Sequence, residues 1–341
     1  MTIRWGVGMW QLPPPQLIEV VELCERLGYD QFWHANHKLD RDMMVGLTLA
    51  AVHSQRMSLG TFVADPYVIH PAMTAAAVAT LDELSGGRAV LVLGAGMMGF
   101  RAMGFERRKP LVAIEEAIQI IRRLWAGETV TFAGEVVQVK AARLGFPARP
   151  DIPIFIAARG NRMLRLAGQV ADGAMISTYA TPAGVQHALN QVAQGVQEAG
   201  RSFAKVTVIL RVDACISENV QAARAAVKPI IAGSLGSSYP DRGFVEAVGL
   251  TIPAELEAII REGDEGRIWA AAPLVPDEFV DHFAWAGTAE QVAAQVARVL
   301  AVGITSVTIL PNPPEAVRPT LRAFANEVIP KVRAKFNPRS T

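Results

Sequence analysis

The chain has 341 residues, 51% hydrophobic and 19% charged, enough apolar material for one large core or two of ordinary size. Its 33 basic and 32 acidic side chains nearly cancel, which excludes the electrostatic footprint of a nucleic-acid or anionic-membrane binder and leaves a small molecule as the expected partner. Cys24 and Cys215 match no disulfide, metal or redox spacing, residues 1–10 lack a leader pattern, and no stretch stays apolar for about 18 residues, so a soluble cytoplasmic protein is expected.

Short apolar runs alternate with helical periodicity along the whole chain. Residues 3–9 read as a strand and 16–27 as an amphipathic helix, the first βα unit. Residues 31–35 and a helix from Met44 make the second, and residues 57–63 with a helix over 72–84 make the third, stopped by Ser85, Gly86 and Gly87. The fourth strand, residues 89–93, runs into a Gly-rich loop before a helix over 111–125, whose apolar face holds Leu111, Ile114, Ile118, Ile121 and Trp125. Residues 128–139 alternate about a turn at Gly134, the pattern of an inserted hairpin.

Residues 152–157, 173–177, 206–212 and 304–310 supply strands five to eight, with helices starting near Asn161, Pro182 and Thr288. Eight strands with crossover helices close an α/β (β/α)8 TIM barrel. Residues 233–283 are too long for a plain connection and are expected to form an excursion with short helices such as 254–260, shaping a substrate pocket. Without a linker or internal repeat, residues 1–341 read as one decorated domain; a doubly wound sheet with a second domain is the competing arrangement.

Gly94-Ala95-Gly96-Met97-Met98-Gly99 matches G-x-G-x-x-G after a strand, yet its context is wrong for a dinucleotide site. That fingerprint opens its domain and starts a helix within itself, whereas here three βα units come first and the helix begins at 111. The glycines serve either a tight turn where a side chain would clash or a close approach of backbone to a planar ring.

Together, Trp33-His34-Ala35-Asn36-His37, Gly60-Thr61-Phe62-Val63-Ala64-Asp65-Pro66, Leu81-Asp82-Glu83-Leu84-Ser85-Gly86-Gly87-Arg88 and Gly94-Ala95-Gly96 resemble the bacterial-luciferase-like oxidoreductases. Within them the chain is most similar to the coenzyme F420-dependent methylenetetrahydromethanopterin reductases. Ala157-Ala158-Arg159-Gly160, Ala171-Asp172-Gly173 and Ala286-Gly287-Thr288-Ala289-Glu290 carry the resemblance along nearly the whole chain. It implies a barrel, a homodimer, and the deazaflavin F420 or alternatively FMN, with hydride moving at the ring centre. It also implies a non-proline cis peptide between Phe62 and Val63, forming a bulge behind the ring.

The resemblance sets the cofactor against Asn36, against Phe62, Val63 and Ala64 after strand three, and against Gly94, Ala95, Gly96 and Met97 after strand four. It continues with Ala157, Ala158, Arg159 and Gly160 after strand five and Ser177 after strand six. The helix start near Gly160 offers free N–H groups to a phosphate, with Arg159, Arg162 and Arg165 adding charge or merely forming a solvated face.

His37 is the expected catalytic residue, an imidazole able to exchange the proton that accompanies hydride transfer. The family commonly has Asp before it where this chain has Asn36, a change expected to lower its basicity. Trp10, His34, Asp65 and Met98 are candidate pocket residues, although Trp10 can equally be a packing residue, a histidine within a strand such as His34 is more often a satisfied core or pocket-wall residue, and Asp65 can be a turn former. His70, before Pro71, reads as a cap or surface residue. Related sugar-phosphate dehydrogenases carry an acid where Met97 stands, so proton chemistry falls to His37, substrate or water. No metal site is expected.

The leading expectation is an F420-dependent reductase or dehydrogenase acting on a small organic acceptor. The alternatives are an FMN monooxygenase and a flavin-binding protein without catalysis.

Overall fold

Each apolar strand is followed by a helix that covers one of its faces, and a parallel sheet built this way covers the other face by closing on itself. A computed structural model describes residues 2–97 and 99–336; Met98, a candidate pocket residue, lies outside the described residues. The barrel strands are β1 (Arg4–Met9), β2 (Gln31–Ala35), β3 (Ser58–Phe62) and β4 (Ala89–Leu93). After a hairpin of β5 (Val130–Ala133) and β6 (Gln138–Ala142) come β7 (Ile154–Ala158), β8 (Gly173–Ser177) and β9 (Thr207–Ile216). An added strand, β10 (Ala284–Gly287), precedes β11 (Ser306–Pro311), which pairs with both β9 and β1 and closes a parallel ring of eight.

The outer layer begins with α1 (Pro14–Arg26), α2 (Met43–Val52), α3 (Pro71–Ser85), α4 (Pro110–Trp125), α5 (Asn161–Val170) and α6 (Pro182–Glu198). Proline opens α1, α3, α4 and α6, where its fixed φ suits the first turn and its missing N–H costs nothing. Gly86 ends α3 at φ +67°, a left-handed cap. Arg88 then donates to the carbonyls of Ala51, Ser54, Met57 and Ser85, tying the end of α2 to the start of β4. The Leu81-to-Arg88 motif thus acts as a structural clasp at the end of the barrel opposite the cleft.

Two expectations need correction. The excursion does not start at Gly233, which lies inside α7 (Val220–Ser238), a helix that runs on through Pro229. Gly233 and Gly236 are there for contact: added Cβ atoms would lie 3.1 Å from Trp269 and 2.9 Å from Ile268 on α10. The excursion is α8 (Gly243–Glu246), α9 (Ala254–Glu262), α10 (Glu265–Ala270) and α11 (Asp277–Phe283). The four-residue β10, too short to show a period, pairs with the end of β9 at Asp213 to Ile216, which lengthens β9 beyond its expected end. The Phe62–Val63 peptide is cis, as the resemblance implied.

Alternation along the strands assigns each side chain a layer. Trp33, Val90, Val92, Phe155, Met175 and Ile209 point inward and form a separate buried cluster filling the barrel. Gly60 and Gly6 make room for Trp33: Cβ atoms there would sit 2.3 Å and 3.0 Å from its indole. The residues one inward step higher form the floor of the cleft described below. Among the described residues no helix is long and apolar enough to cross a membrane.

His34 takes the opposite parity from Trp33 and is not a pocket residue. It is buried beneath α2, where a Cβ on Gly46 would meet its ring at 2.5 Å, and its ring nitrogens have no partner among the described residues. Burial, only partly opposed by Asp42 and Asp40, pulls it down to about 4 from 6.5. Because the folded value lies below the unfolded one, its contribution is fully present above pH 6.5 and is lost as pH falls toward 4. Denaturant stability should therefore drop by up to about 3 kcal/mol across that window. In His34→Leu that segment of the pH profile should flatten; an unchanged slope would show that His34 is not the group responsible.

Candidate active site

The C-terminal ends of the barrel strands open into a cleft whose floor is the top inward layer: Trp10, Ala35, Phe62, Gly94, Ala157, Ser177, Arg211 and Leu310. Asn36, His37, Val63, Ala95, Gly96 and Met97 continue the wall on one side, and Ala158, Arg159 and Gly160 on the other. The structure therefore gathers nearly all the expected cofactor residues in one cavity. Ala64 is the exception: it is buried and serves as a backbone link, its N–H bonded to the Val92 carbonyl and its carbonyl to the Gly94 N–H.

Asn36 Nδ2 donates to the Val63 carbonyl at 3.1 Å and its backbone N–H to the Phe62 carbonyl, so the β2 end fixes the β3 bulge. The amide that replaces the family's carboxylate thus has a structural use. Beside it His37 packs against Trp10 with ring centres 5.1 Å apart, and Trp10 Nε1 donates to the Pro311 carbonyl. Burial lowers the His37 pKa below 6.5, with Asp40 opposing and Lys38 adding to the shift. The expected fall in basicity is present, but burial is its first cause.

Asp65 is not a wall residue either. Its Oδ1 accepts from the N–H groups of Tyr67 and Val68, and its Oδ2 lies 2.9 Å from Lys38 Nζ in an ion pair with both side chains at least 98% buried. Lys38 also lies 4.1 Å from the centre of the Phe100 ring. The pair braces the loops after β2, β3 and β4 from below. That bracing accounts for Gly96, at φ +73°, where a Cβ would meet Phe100 at 2.6 Å and Lys38 Nζ at 3.0 Å. A Cβ on Gly94 would lie 2.8 Å from Val63. Both glycines are thus required by protein contacts, whatever lies above them.

At the other end Gly160 precedes α5 with no side-chain cap, leaving first-turn N–H groups beside Arg159 and Arg162, which both line the cleft. Arg165 turns away to Gln191. Arg159 is half-buried, and desolvation, ahead of the neighbouring Arg211, pulls it down to about 10. Its Nη1 donates to the Ser234 carbonyl, and it makes no ion pair among the described residues. Sequence reasoning missed Arg107, Arg211, the α7 serines and Asp241. For Arg211 the signal was present: Arg211 and Asp213 are two charges on one face of an otherwise apolar strand.

An uncapped helix start, a half-buried guanidinium without a carboxylate partner among the described residues and the orphaned Nε of Arg211 surround a mostly apolar floor. Those residues fit an aromatic ring system with a phosphate-bearing tail.

Residues 4–306 match the luciferase-like monooxygenase family. The 5,10-methylenetetrahydromethanopterin reductase of Methanolobus tindarius is 33% identical over 314 residues, 90% of this chain and 94% of that protein. The enzyme of the same name from Archaeoglobus fulgidus is 33% identical over 319 residues, 92% and 94% of the two chains. The solved coenzyme F420-dependent tetrahydromethanopterin reductase from Methanopyrus kandleri superposes with a TM-score of 0.82 at 27% identity, covering 97% of this chain and 99% of that one. With its closed parallel barrel and a match over most of its length, this chain belongs to the luciferase-like monooxygenase family.

Proposed function

We propose that the chain is an oxidoreductase that uses coenzyme F420 to pass a hydride to or from a small organic acceptor, with His37 handling the accompanying proton. The observation that carries this reading is the cleft's two chemically different ends, a half-buried imidazole beside the bulge and an uncapped, arginine-flanked helix start. Val63 and the Gly94-to-Met97 loop would support the ring, while Arg159, Arg162 and the first turn of α5 would hold the phosphate. When bound, the cofactor supplies the hydride chemistry. Similarity to F420-dependent reductases supports the deazaflavin over FMN.

The chain's own contribution is orientation and one proton. Asp241 is the only carboxylate among the described lining residues, and it stands at the helix-start end, where a Cβ on Gly160 would meet its Oδ2 at 2.9 Å. At the bulge end His37 is the titratable group. Its lowered pKa makes it a neutral proton acceptor at pH 7. Both cysteines are free and buried, which suits the reducing cytoplasm.

Titration of the purified protein with F420 and FMN tests the cofactor: saturable F420 binding is expected, and binding of FMN alone would overturn the assignment. In the direction that oxidises the organic substrate, kcat/KM should fall as pH drops through a limb below 6.5, where His37 gains its proton. His37→Asn should lower kcat by roughly 10²-fold or more and remove that limb. A limb that persists in the variant would assign the proton to another group.

The same reading includes a homodimer. α2, with the sequence MMVGLTLAAV, is apolar all round, yet Val45 and Val52 on it and Met73 on the adjacent α3 are more than half exposed. A helix of that composition needs cover on both faces. Light scattering should find two copies per particle, and Val45→Glu with Val52→Glu should shift the protein to monomer; a parent that is already monomeric refutes the dimer.

A further inference from the structure

Alternation turns Arg211 and Asp213 of β9 into the barrel, with Arg211 one inward step above Ile209 of the barrel filling. Arg211 is 5% exposed and its Nη groups donate to the two Asp213 oxygens at 2.8 and 2.7 Å. Asn312 Nδ2 adds a third donor to Asp213 at 3.0 Å, so the carboxylate is well supplied and the guanidinium plane is fixed. The Nε of Arg211 has no partner among the described residues, although the side chain lines the cleft. A buried donor left unmade is costly, and Nε is the edge of the guanidinium that Asp213 does not occupy.

The surroundings narrow the choice. Around the floor Trp10, Ala35, Phe62, Ala157 and Leu310 present apolar surface, whereas Arg211 and its cross-strand neighbour Ser177 form a polar wall. The guanidinium lies 5.4 Å from the centre of the Phe62 ring at the bulge, so this wall adjoins the place where a ring would rest. The deazaflavin head of F420 carries polar groups at its pyrimidine dione and at the hydroxyl of the opposite ring, and of the two the dione edge gains electron density on reduction. We propose that Arg211 binds that edge and holds the reduced deazaflavin more tightly than the oxidised one, an inference that rests on the F420 assignment. A hydride gained at the ring centre leaves its electron density on the pyrimidine edge, and a fixed cation favours the electron-richer form. Because Asp213 lies on the Nη side, the free Nε edge presents the positive end of the pair. Asp213 and Asn312 are positioning residues.

The test is equilibrium binding of oxidised F420 and of F420H2 under anaerobic conditions, followed by quenching of tryptophan fluorescence, since Trp10 lines the cleft. Three proteins are compared: the parent, Arg211→Lys, and Arg211→Gln combined with Asp213→Asn, which removes both buried charges together. The double variant should raise the Kd for F420H2 roughly tenfold or more and that for F420 less than about threefold. Arg211→Lys, which keeps the charge, should restore part of the preference for the reduced form. Equal losses for both forms in a double variant that melts within a few degrees of the parent would reduce Arg211 to a structural residue and overturn the proposal. If the double variant does not fold, Arg211→Gln alone replaces it, and parental constants for both forms in that variant overturn the proposal. A parent that binds neither form defeats the F420 assignment itself, whereas parental binding retained in every variant defeats only the role of Arg211.

Discussion

The site depends on the indole of Trp33 lying across the inside of a closed barrel. Its Nε1 donates to Thr308 Oγ1 at 2.9 Å on the opposite side of the β1 strand, and Gly6 and Gly60 give up their side chains to make space for it. With Phe155, Met175 and the β4 valines it fills the interior, so the barrel is solid and a ligand can enter only above it. The next inward residue on each strand then becomes floor by geometry. The cleft is therefore a consequence of barrel packing, and its composition is set by which residue follows the filling at each strand end.

Above that floor the walls are held by arginines that find carbonyl partners in place of carboxylates. Arg107 donates to the Gly96 and Ser237 carbonyls and Arg159 to that of Ser234, so the β4 loop and the start of α5 are both fastened to the C-terminal turn of α7. A helix C-terminus carries partial negative charge, which compensates these half-buried cations only in part. Set in a mostly apolar cleft, these cations act on a charged group more strongly than they would in water. Structural fastening and anion attraction thus come from the same groups.

Much of this was legible from strand periodicity. Once Trp33 is placed inward, the two-residue repeat puts Ala35 on the cleft floor and His34 under α2, and the same rule applied to β9 puts Arg211 and Asp213 inside. Motif similarity, which is read residue by residue along loops, does not carry that parity, and so leaves His34 open between pocket and core. The run of α7 through Pro229, Gly233 and Gly236 was illegible because local propensity argues for a break there, and the close approach of Trp269 and Ile268 that needs glycine belongs to a segment more than 30 residues away. The Lys38–Asp65 pair is hidden likewise: adjacent loops present a lysine and an aspartate, and nothing local says that they meet.

That buried pair also shapes the proton chemistry. Lys38 follows His37 directly, and with Asp65 fixing its ammonium group beneath the loops it cannot swing up to serve as an acid or as an anion clamp. Its charge nevertheless acts on His37 in the same direction as burial, toward the neutral imidazole. With Met97 where related enzymes place an acid, no second proton donor stands at the bulge end among the described residues. The neutral imidazole is therefore set by burial first and by the fixed charge of Lys38 second, so a side chain that touches the cleft is tuned by features that do not.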